Sequence, residues 1–362
     1  MYNCWFMDSV EVDGMRFFYS PQLHSIMRMG KKGDAVEIEK QLLDADYGLP
    51  GKFITLGYYA YKIFFFPLYG QTVYVYDLRQ KSIENIQLEV NTKLGYSIFS
   101  SAIVGNKIIG IPGRYSRFII IDGTNNVKEE IEFDTKKLNE VEVNKSVYFT
   151  RCNYVYDNTL FVGSLMSNYI ISISLDNYRV EYYELELCNE EKKGVYTLCG
   201  NGCELYVLGN DGKLRIYECL KKRMSLKRVI SMSYIALKDG SYANSLYLNG
   251  KFIMFSNDGI ITCDISKEKI MKKSIDKKNI VCSNISSIGF FYAYKFDNVI
   301  RAMSAMDFVE YSFDEDIKIV GEKKYCIENN ELTKLELYSI TVEQKEVYTR
   351  NLNYFINRLK CE

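Results

Sequence analysis

Short apolar runs that are closed by an acidic residue recur along the chain. Residues 73–77 read Val-Tyr-Val-Tyr-Asp, and five other runs share this frame, two of them with serine in place of the acid. The runs end at residues 77, 122, 174, 218, 264 and 304, which are separated by 45, 52, 44, 46 and 40 residues. Such runs are typical of β-strands, and their spacing predicts a repeated unit.

The acid-ended runs form one repeated series, or ladder, along the sequence. A second such series consists of pairs of turn-forming residues. Such pairs supply the positive φ angles of two-residue hairpin turns. Their first members are separated by 92, 52, 44 and 48 residues, and the first step equals two periods of 46. Because an apolar run follows each pair and the period matches the first ladder, the pairs predict a repeat of hairpins. The pairs are Asp13-Gly14, Gly105-Asn106, Asp157-Asn158, Asn201-Gly202 and Asn249-Gly250.

Together the ladders predict units of four antiparallel strands. The hairpin turn joins the first strand to an apolar second strand, and the acid-ended run forms the third. A more polar fourth strand follows, as in residues 81–90, which suits a solvated sheet edge. Four such strands in about 40–50 residues are typical of a β-propeller blade. Second strands near residues 17, 63, 108, 160, 205, 252 and 290–294 give seven units. The prediction is an all-β, seven-bladed β-propeller over residues 1–340, with six or eight blades as alternatives.

The C-terminal segment has a different pattern. Thr341 to Gln344 has the form of a capping box, and apolar residues then follow at helical spacing from Tyr348 to Leu359. This predicts an amphipathic helix over residues 341–362 that packs on the propeller or docks a partner. Residues 323–340 are predicted to form a hairpin around Asn329-Asn330 that completes the last blade.

The run Val-Tyr-Val-Tyr-Asp-Leu at residues 73–78 resembles the Kelch-like and quinoprotein-like repeats of the β-propeller superfamily. The resemblance implies the fold. It carries no active site over to this chain, because the Kelch double glycine is absent and Trp5 is the only tryptophan.

Charge and composition narrow the classes of partner. The chain has 46 basic and 46 acidic residues without a basic stripe, so no nucleic-acid partner is predicted. Its longest apolar run, residues 63–68, is far shorter than the ~20 residues of a membrane span. With no signal-like start, the chain is expected to be cytoplasmic. The ten cysteines include no Cys-x-x-Cys pair, and we predict no metal or cofactor.

Two Asn-Asp-Gly copies and the single histidine are the obvious candidates for chemistry. The copies, at residues 210–212 and 257–259, lack the acids of a calcium loop and are predicted to be equivalent turns. His24 has no G-x-S-x-G partner motif and is interpreted as an ordinary loop residue. No catalytic residue is assigned. The acids Asp77, Asp122, Glu218 and Asp264 recur in equivalent places, as turn-forming residues do.

The loops between second and third strands should emerge on one face. We hypothesise a non-catalytic binding or scaffolding module that recognises a protein or peptide through these loops. The alternative is an enzyme that acts on a carbohydrate or small polar substrate in the central pocket, using Asp or Glu and the arginines of residues 112–117. A coupled pair of carboxylates in the pocket would favour the enzyme. The candidate ligand-binding residues are His24, Tyr69, Arg114, Tyr115, Arg117, Asn168, Asp211, Asp258 and Asp297.

Overall fold

The structure is a computed structural model, and in the part that it describes all regular elements are β-strands. None of the residues described belongs to a helix long and apolar enough to cross a membrane. The predicted helix over residues 341–362 and most of the predicted hairpin over 323–340 lie outside this part. The described residues are 2–4, 6–20, 23–30, 36–42, 53–68, 70–89, 97–138, 147–186, 194–220, 223–232, 243–256, 259–273, 290–296, 299–304 and 309–327.

Twenty strands form five separate four-stranded antiparallel sheets, each built from four consecutive strands. We call these the second to sixth units. The second unit is β6 (Phe53–Tyr59), β7 (Lys62–Pro67), β8 (Thr72–Asp77) and β9 (Ser82–Gln87). The third is β10 (Ile98–Val104), β11 (Lys107–Pro112), β12 (Arg117–Asp122) and β13 (Lys128–Glu132). The fourth is β14 (Phe149–Tyr156), β15 (Thr159–Ser164), β16 (Tyr169–Ser174) and β17 (Val180–Glu184). The fifth is β18 (Val195–Asn201), β19 (Glu204–Gly209), β20 (Lys213–Leu220) and β21 (Arg223–Ser231), and the sixth is β22 (Asn244–Leu248), β23 (Lys251–Ser256), β24 (Gly259–Asp264) and β25 (Lys269–Lys273).

The first and seventh units meet in a nine-stranded sheet. Their fourth strands are linked by a single parallel bridge between Val36 and Ile327, and the N-terminal strand pairs antiparallel with the last one. The first unit is β2 (Ser9–Val12), β3 (Met15–Ser20), β4 (Ser25–Met29) and β5 (Val36–Gln41). The seventh is β26 (Phe290–Phe296), β27 (Val299–Ser304), β28 (Val309–Phe313) and β29 (Ile319–Ile327), and β1 (Tyr2–Cys4) adds to its edge.

The second and third strands of each sheet are the most buried. In β7 every residue after Lys62 is buried, and in β8 the four central residues are buried. A strand buried on both faces has a continuous apolar run instead of strict alternation, as Ile-Phe-Phe-Phe in β7 shows. The fourth strand β9 is half-exposed, as its polar sequence predicts.

Hydrophobic clusters join each unit to the next. Six such clusters lie between successive units, from the one between the first and second units to the one between the sixth and seventh. Another cluster joins the seventh unit back to the first, where Phe6 stacks on Phe18 and contacts Tyr292 and Tyr325. The arrangement of four-stranded sheets is therefore propeller-like.

Four of the five predicted pairs form two-residue turns, at 13–14, 105–106, 157–158 and 249–250, whereas the turn predicted at Asn201-Gly202 lies one residue later, at 202–203. Asp13, Asn158 and Asn249 have φ angles of 52°, 54° and 47°, in the left-handed region that a hairpin turn requires. Asp77 accepts hydrogen bonds from the amides two and three residues later, and Asp264 does the same in its turn. Asp122 accepts one from the amide of Thr124. The recurring acids at these three positions are turn formers, whereas Glu218 pairs with Lys227 on the next strand.

The seventh unit is shifted by one strand relative to the sequence prediction. Residues 290–296 form its first strand and residues 299–304 its second, so the prediction that 290–294 was a second strand is wrong. The prediction failed because Phe290, Phe291 and Tyr292 are buried at the start of β26. In the sequence, a first strand that begins with such an apolar run resembles the apolar second strand of a unit. Asp297 itself lies outside the described residues, and the strands that come before and after it in the sequence are the first and second of the unit, not the second and third.

Candidate functional site

The first strands of neighbouring units pack side by side around a central cavity of about 290 Å³. Its walls carry two charged side chains, several hydroxyl groups, one amide and two tyrosines. The charged and polar lining residues are Asp8, Thr55, Ser100, Ser101, Arg151, Asn244, Tyr292 and Tyr294. Ala102, Ile103, Leu56 and Ala293 complete the lining.

Asp8 lies just before the first strand and is held by the second unit. Its Oδ2 accepts hydrogen bonds from the Leu56 amide at 2.8 Å and from the Thr55 hydroxyl at 3.0 Å. Its Oδ1 accepts one from the Ser9 amide at 2.8 Å. Burial raises the pKa of Asp8, and the Leu56 amide, Arg151 and Thr55 oppose that effect only in part. Three hydrogen bonds thus fix the orientation of the carboxyl at the cavity wall.

Pairs of hydroxyl groups recur between neighbouring first strands, and one of these pairs lies in the cavity wall. Thr55 and Ser101 are 2.7 Å apart through their hydroxyl oxygens, and Ser101 donates to the Leu56 carbonyl at 3.0 Å. Between the fifth and sixth units, Thr197 and Ser245 are 2.8 Å apart, and Ser245 donates to the carbonyl of residue 198 at 2.9 Å. The two pairs make the same bonds in equivalent places, so they fasten neighbouring first strands to each other.

Arg151 holds the N-terminal segment against the fourth unit. Its side chain is buried and its Nη2 donates to the Met7 carbonyl at 2.6 Å, while its own carbonyl accepts from Ser100. Among the described residues that line the cavity, Asp8 is the single carboxylate. A coupled carboxylate pair, which would favour the enzyme hypothesis, is not found among these described lining residues.

One end of the cavity is closed by an apolar cluster, which we call the apolar closure. It consists of Ile54, Leu68, Phe99, Val147 and Leu165, with Met7 packed against it. These residues lie where first strands begin and second strands end, next to the loops between second and third strands. Among the described residues of the second, third and fourth units, this cluster therefore lies between the cavity and the loops in which the sequence placed ligand binding.

Two of the candidate residues from the sequence are buried. His24 has a φ angle of 47°, and its Nδ1 lies 3.0 Å from the Tyr19 hydroxyl. Tyr115 packs in the cluster between the second and third units and donates its hydroxyl proton to Glu130. Both side chains stabilise the fold at the positions where the structure places them.

Arg117 belongs to an ion-pair network on the edge of the third unit. Its guanidinium pairs with Glu130 at 3.1 Å and with Glu132 at 2.7 Å. Burial opposes ionisation of Glu130, but the hydrogen bonds from Lys128, Tyr115 and Arg117 outweigh it and lower the pKa of Glu130 to about 2. Arg117 is thus engaged by carboxylates of its own sheet.

Asp211 is paired within its own unit. Its carboxylate lies 2.6 Å from Nη2 of Arg215, and the two side chains are 3% and 2% exposed. Arg215 also donates to the carbonyl of Glu186 at 2.8 Å. Burial opposes the charge on Asp211, but Arg215 outweighs it and lowers the pKa of the carboxyl. The first Asn-Asp-Gly copy is a turn whose acid is used internally.

Arg114 and Asn168 remain on the loop face and are half-exposed. The Asn168 side chain accepts a long hydrogen bond from the Gly194 amide at 3.4 Å, which ties its loop to the fifth unit. Sequence reasoning missed their neighbour Met166, which is 41% exposed. Tyr69 and Asp258 lie outside the described residues.

The cavity residues were also missed, although a signal was present. Serine or threonine recurs early in otherwise apolar first strands, as at Thr55, Ser101, Thr197 and Ser245. Met7 and Asp8 gave no comparable signal, because their partners in the second and fourth units are brought near only by the fold.

Comparison with known proteins gives the class of fold and no family. No family model matches the chain, and no curated protein sequence matches it. By fold it is similar to the crystal structure of the computationally designed Ika8 protein, with a TM-score of 0.57 and 10% identity over 89% of this chain and 87% of that one. It is also similar to PorZ, an essential bacterial surface component of the type-IX secretion system of Porphyromonas gingivalis. That match has a TM-score of 0.52 and 13% identity, and it covers 91% of this chain but 39% of PorZ. At these identities the likeness concerns the fold alone.

Proposed function

We propose that the protein is a seven-bladed β-propeller that acts as a non-catalytic binding module for a protein or peptide partner. The seven units and the clusters that join them in sequence, with the last returning to the first, support this number of blades. The partner is recognised by the loops between second and third strands, where the third and fourth units present unlike side chains.

The observation that carries this proposal is Met166, a large apolar side chain that is 41% exposed at a loop tip beside another loop that carries Arg114. Methionine and arginine are enriched in protein–protein interfaces, and arginine is frequent among the residues that dominate binding energy. At 41% exposure and at a loop tip, Met166 offers apolar surface that a partner can cover.

The two loops are held at a fixed separation. The Tyr148 amide donates to the Gly113 carbonyl at 2.7 Å, and the Tyr148 carbonyl accepts from the Leu165 amide at 2.9 Å. Both loops therefore share one anchor, and we call residues 113–116 and 165–168 the loop pair. A pre-organised pair of loops loses little conformational entropy when it binds.

A pull-down from lysate of the source cells tests the proposal. The variant Met166→Glu with Arg114→Ala should lose partners that the wild type recovers. The matched control is Met271→Glu, because Met271 is exposed to a similar degree on the outer strand of the sixth unit. Recovery of the same partners by the loop-pair variant would contradict the proposal, as would their loss with Met271→Glu alone.

A further inference from the structure

The central cavity is a second site, separate from the loop pair, and it opens on the opposite side. In β14 the first three residues are buried and the rest are partly exposed, and the strands β6, β18 and β26 follow the same trend. Ile103 lines the cavity, is 44% exposed and lies next to the turn between the first two strands of its unit. The mouth is therefore on the side of the hairpin turns, and the apolar closure is at the other end.

We propose that this cavity binds a small, uncharged, polyhydroxylated molecule of the size of a monosaccharide or cyclitol. Its volume of about 290 Å³ is close to the lower end of the roughly 300–1,000 Å³ that is usual for ligand pockets. A molecule of one ring fits such a volume, whereas a peptide or an oligosaccharide chain does not.

The lining favours a ligand with hydroxyl groups. Asp8 and Arg151 are one acid and one base, and the other lining side chains are neutral, so the lining has no excess of either sign with which to bind an ion. A hydroxyl group suits both side chains, because it can donate to a carboxylate and accept from a guanidinium. The serine and threonine oxygens of the wall, whose protons are donated within the protein, add acceptors.

The walls are rigid and one of them is aromatic. The hydroxyl pair of Thr55 and Ser101 is fixed by hydrogen bonds between neighbouring units. Tyr292 and Tyr294 have ring centroids 5.4 Å apart, and their hydroxyl groups are engaged by Glu310 and Arg16. The rings therefore present carbon surface to the cavity, against which the C–H face of a sugar ring can pack. A pre-formed wall of this kind lowers the entropic cost of binding.

The test is saturation-transfer NMR and titration calorimetry on the full chain. The probes are D-glucose, D-galactose, D-mannose and myo-inositol, with glucose 6-phosphate and glucosamine as charged comparators. Ile103→Trp narrows the mouth and leaves Asp8 and Arg151 in place. Ile319→Trp is the matched control, because Ile319 is equally exposed on the outer strand β29 of the seventh unit.

We expect at least one neutral probe to bind, with affinity reduced at least about tenfold by Ile103→Trp and unchanged by Ile319→Trp. Circular dichroism and melting temperature verify that both variants are folded. The inference is overturned if no neutral probe binds the wild type, if the charged comparators bind more tightly, or if Ile103→Trp binds as the wild type does. Because the loop pair lies beyond the apolar closure, these outcomes are independent of the pull-down result.

Discussion

Arg16 joins the first unit to the seventh, and its replacement should weaken the whole fold. The side chain is 2% exposed, and Nη1 donates to Glu310 at 2.6 Å and to the Tyr325 hydroxyl at 2.5 Å. Its Nη2 donates to Glu11 at 3.2 Å and to the Tyr294 hydroxyl at 2.5 Å. Three of these four partners belong to the seventh unit, so a single guanidinium bridges the two ends of the repeat.

The expected loss of stability follows from the buried carboxylate that Arg16→Met leaves without its cation. Glu310 is 4% exposed and would keep a buried charge without its cation. Removing one partner of a buried ion pair costs about 3–5 kcal/mol. In Arg16→Met with Glu310→Gln no charge is stranded, and a neutral replacement of a buried pair costs much less. We therefore expect the double variant to be more stable than Arg16→Met alone by at least about 1 kcal/mol.

The assay is urea unfolding followed by far-UV circular dichroism. Arg179→Met is the control, because Arg179 is an exposed arginine of the fourth unit that pairs with Glu181 at 3.1 Å. An exposed pair contributes only about 0–1 kcal/mol, so the control should be close to the wild type. The reasoning is refuted if Arg16→Met costs no more than Arg179→Met, or if the losses of the single variants Arg16→Met and Glu310→Gln simply add in the double variant.

Three further predictions concern single side chains. Because the pKa of Glu130 is lowered from 4.5 to about 2 in the fold, its contribution is present above pH 4.5 and is lost as pH falls towards 2. Glu130→Gln should thus cost up to about 3 kcal/mol at pH 7 and less at pH 4 in urea titrations, and a deficit independent of pH would contradict this. Arg215→Met strands the buried carboxylate of Asp211 and should cost about 3–5 kcal/mol in thermal unfolding, where a loss below 1 kcal/mol would argue against the pair. Gly200→Ala would place a Cβ 2.2 Å from the ring of Tyr154 and should cost about 1–3 kcal/mol, whereas an unchanged melting temperature would show that the ring moves aside freely.

Much of the repeat could be predicted because its determinants are local. A hairpin turn needs positive φ angles, so residues such as Asn249 mark it in the sequence. A strand buried on both faces needs a continuous apolar run, and residues 108–111 show one where β11 forms. The seventh unit was misread because burial against the first unit makes its first strand apolar as well. An apolar run in the sequence indicates a buried strand, but it does not indicate whether that strand is the first, second or third of its unit.

The site was harder to predict because its contacts join distant parts of the chain. Asp8 is bound by residue 56 and Arg151 by residue 7, and neither partner stands out in the sequence. Arg117 looked available for a ligand because the two carboxylates that engage it lie on the next strand, where they read as ordinary surface charges. The pair of Asp211 and Arg215 is the exception, since the two residues are four positions apart and the turn brings them together.

Met7 is the element that both proposed sites share, and it allows coupling between them to be tested. Its side chain packs against the apolar closure beside Leu165, which begins one loop of the loop pair, and its carbonyl accepts from Arg151 of the cavity. A ligand shifts an equilibrium only if it binds two states with different affinity. The sheets around Met7 are fixed by hydrogen bonds, so we expect a blocked cavity to leave the loop pair unchanged. Ile103→Trp should therefore change the affinity for a partner captured by the loop pair less than about twofold, or about 0.4 kcal/mol. A larger change that Met7→Ala abolishes would instead show that the N-terminal segment transmits the state of the cavity to the opposite face.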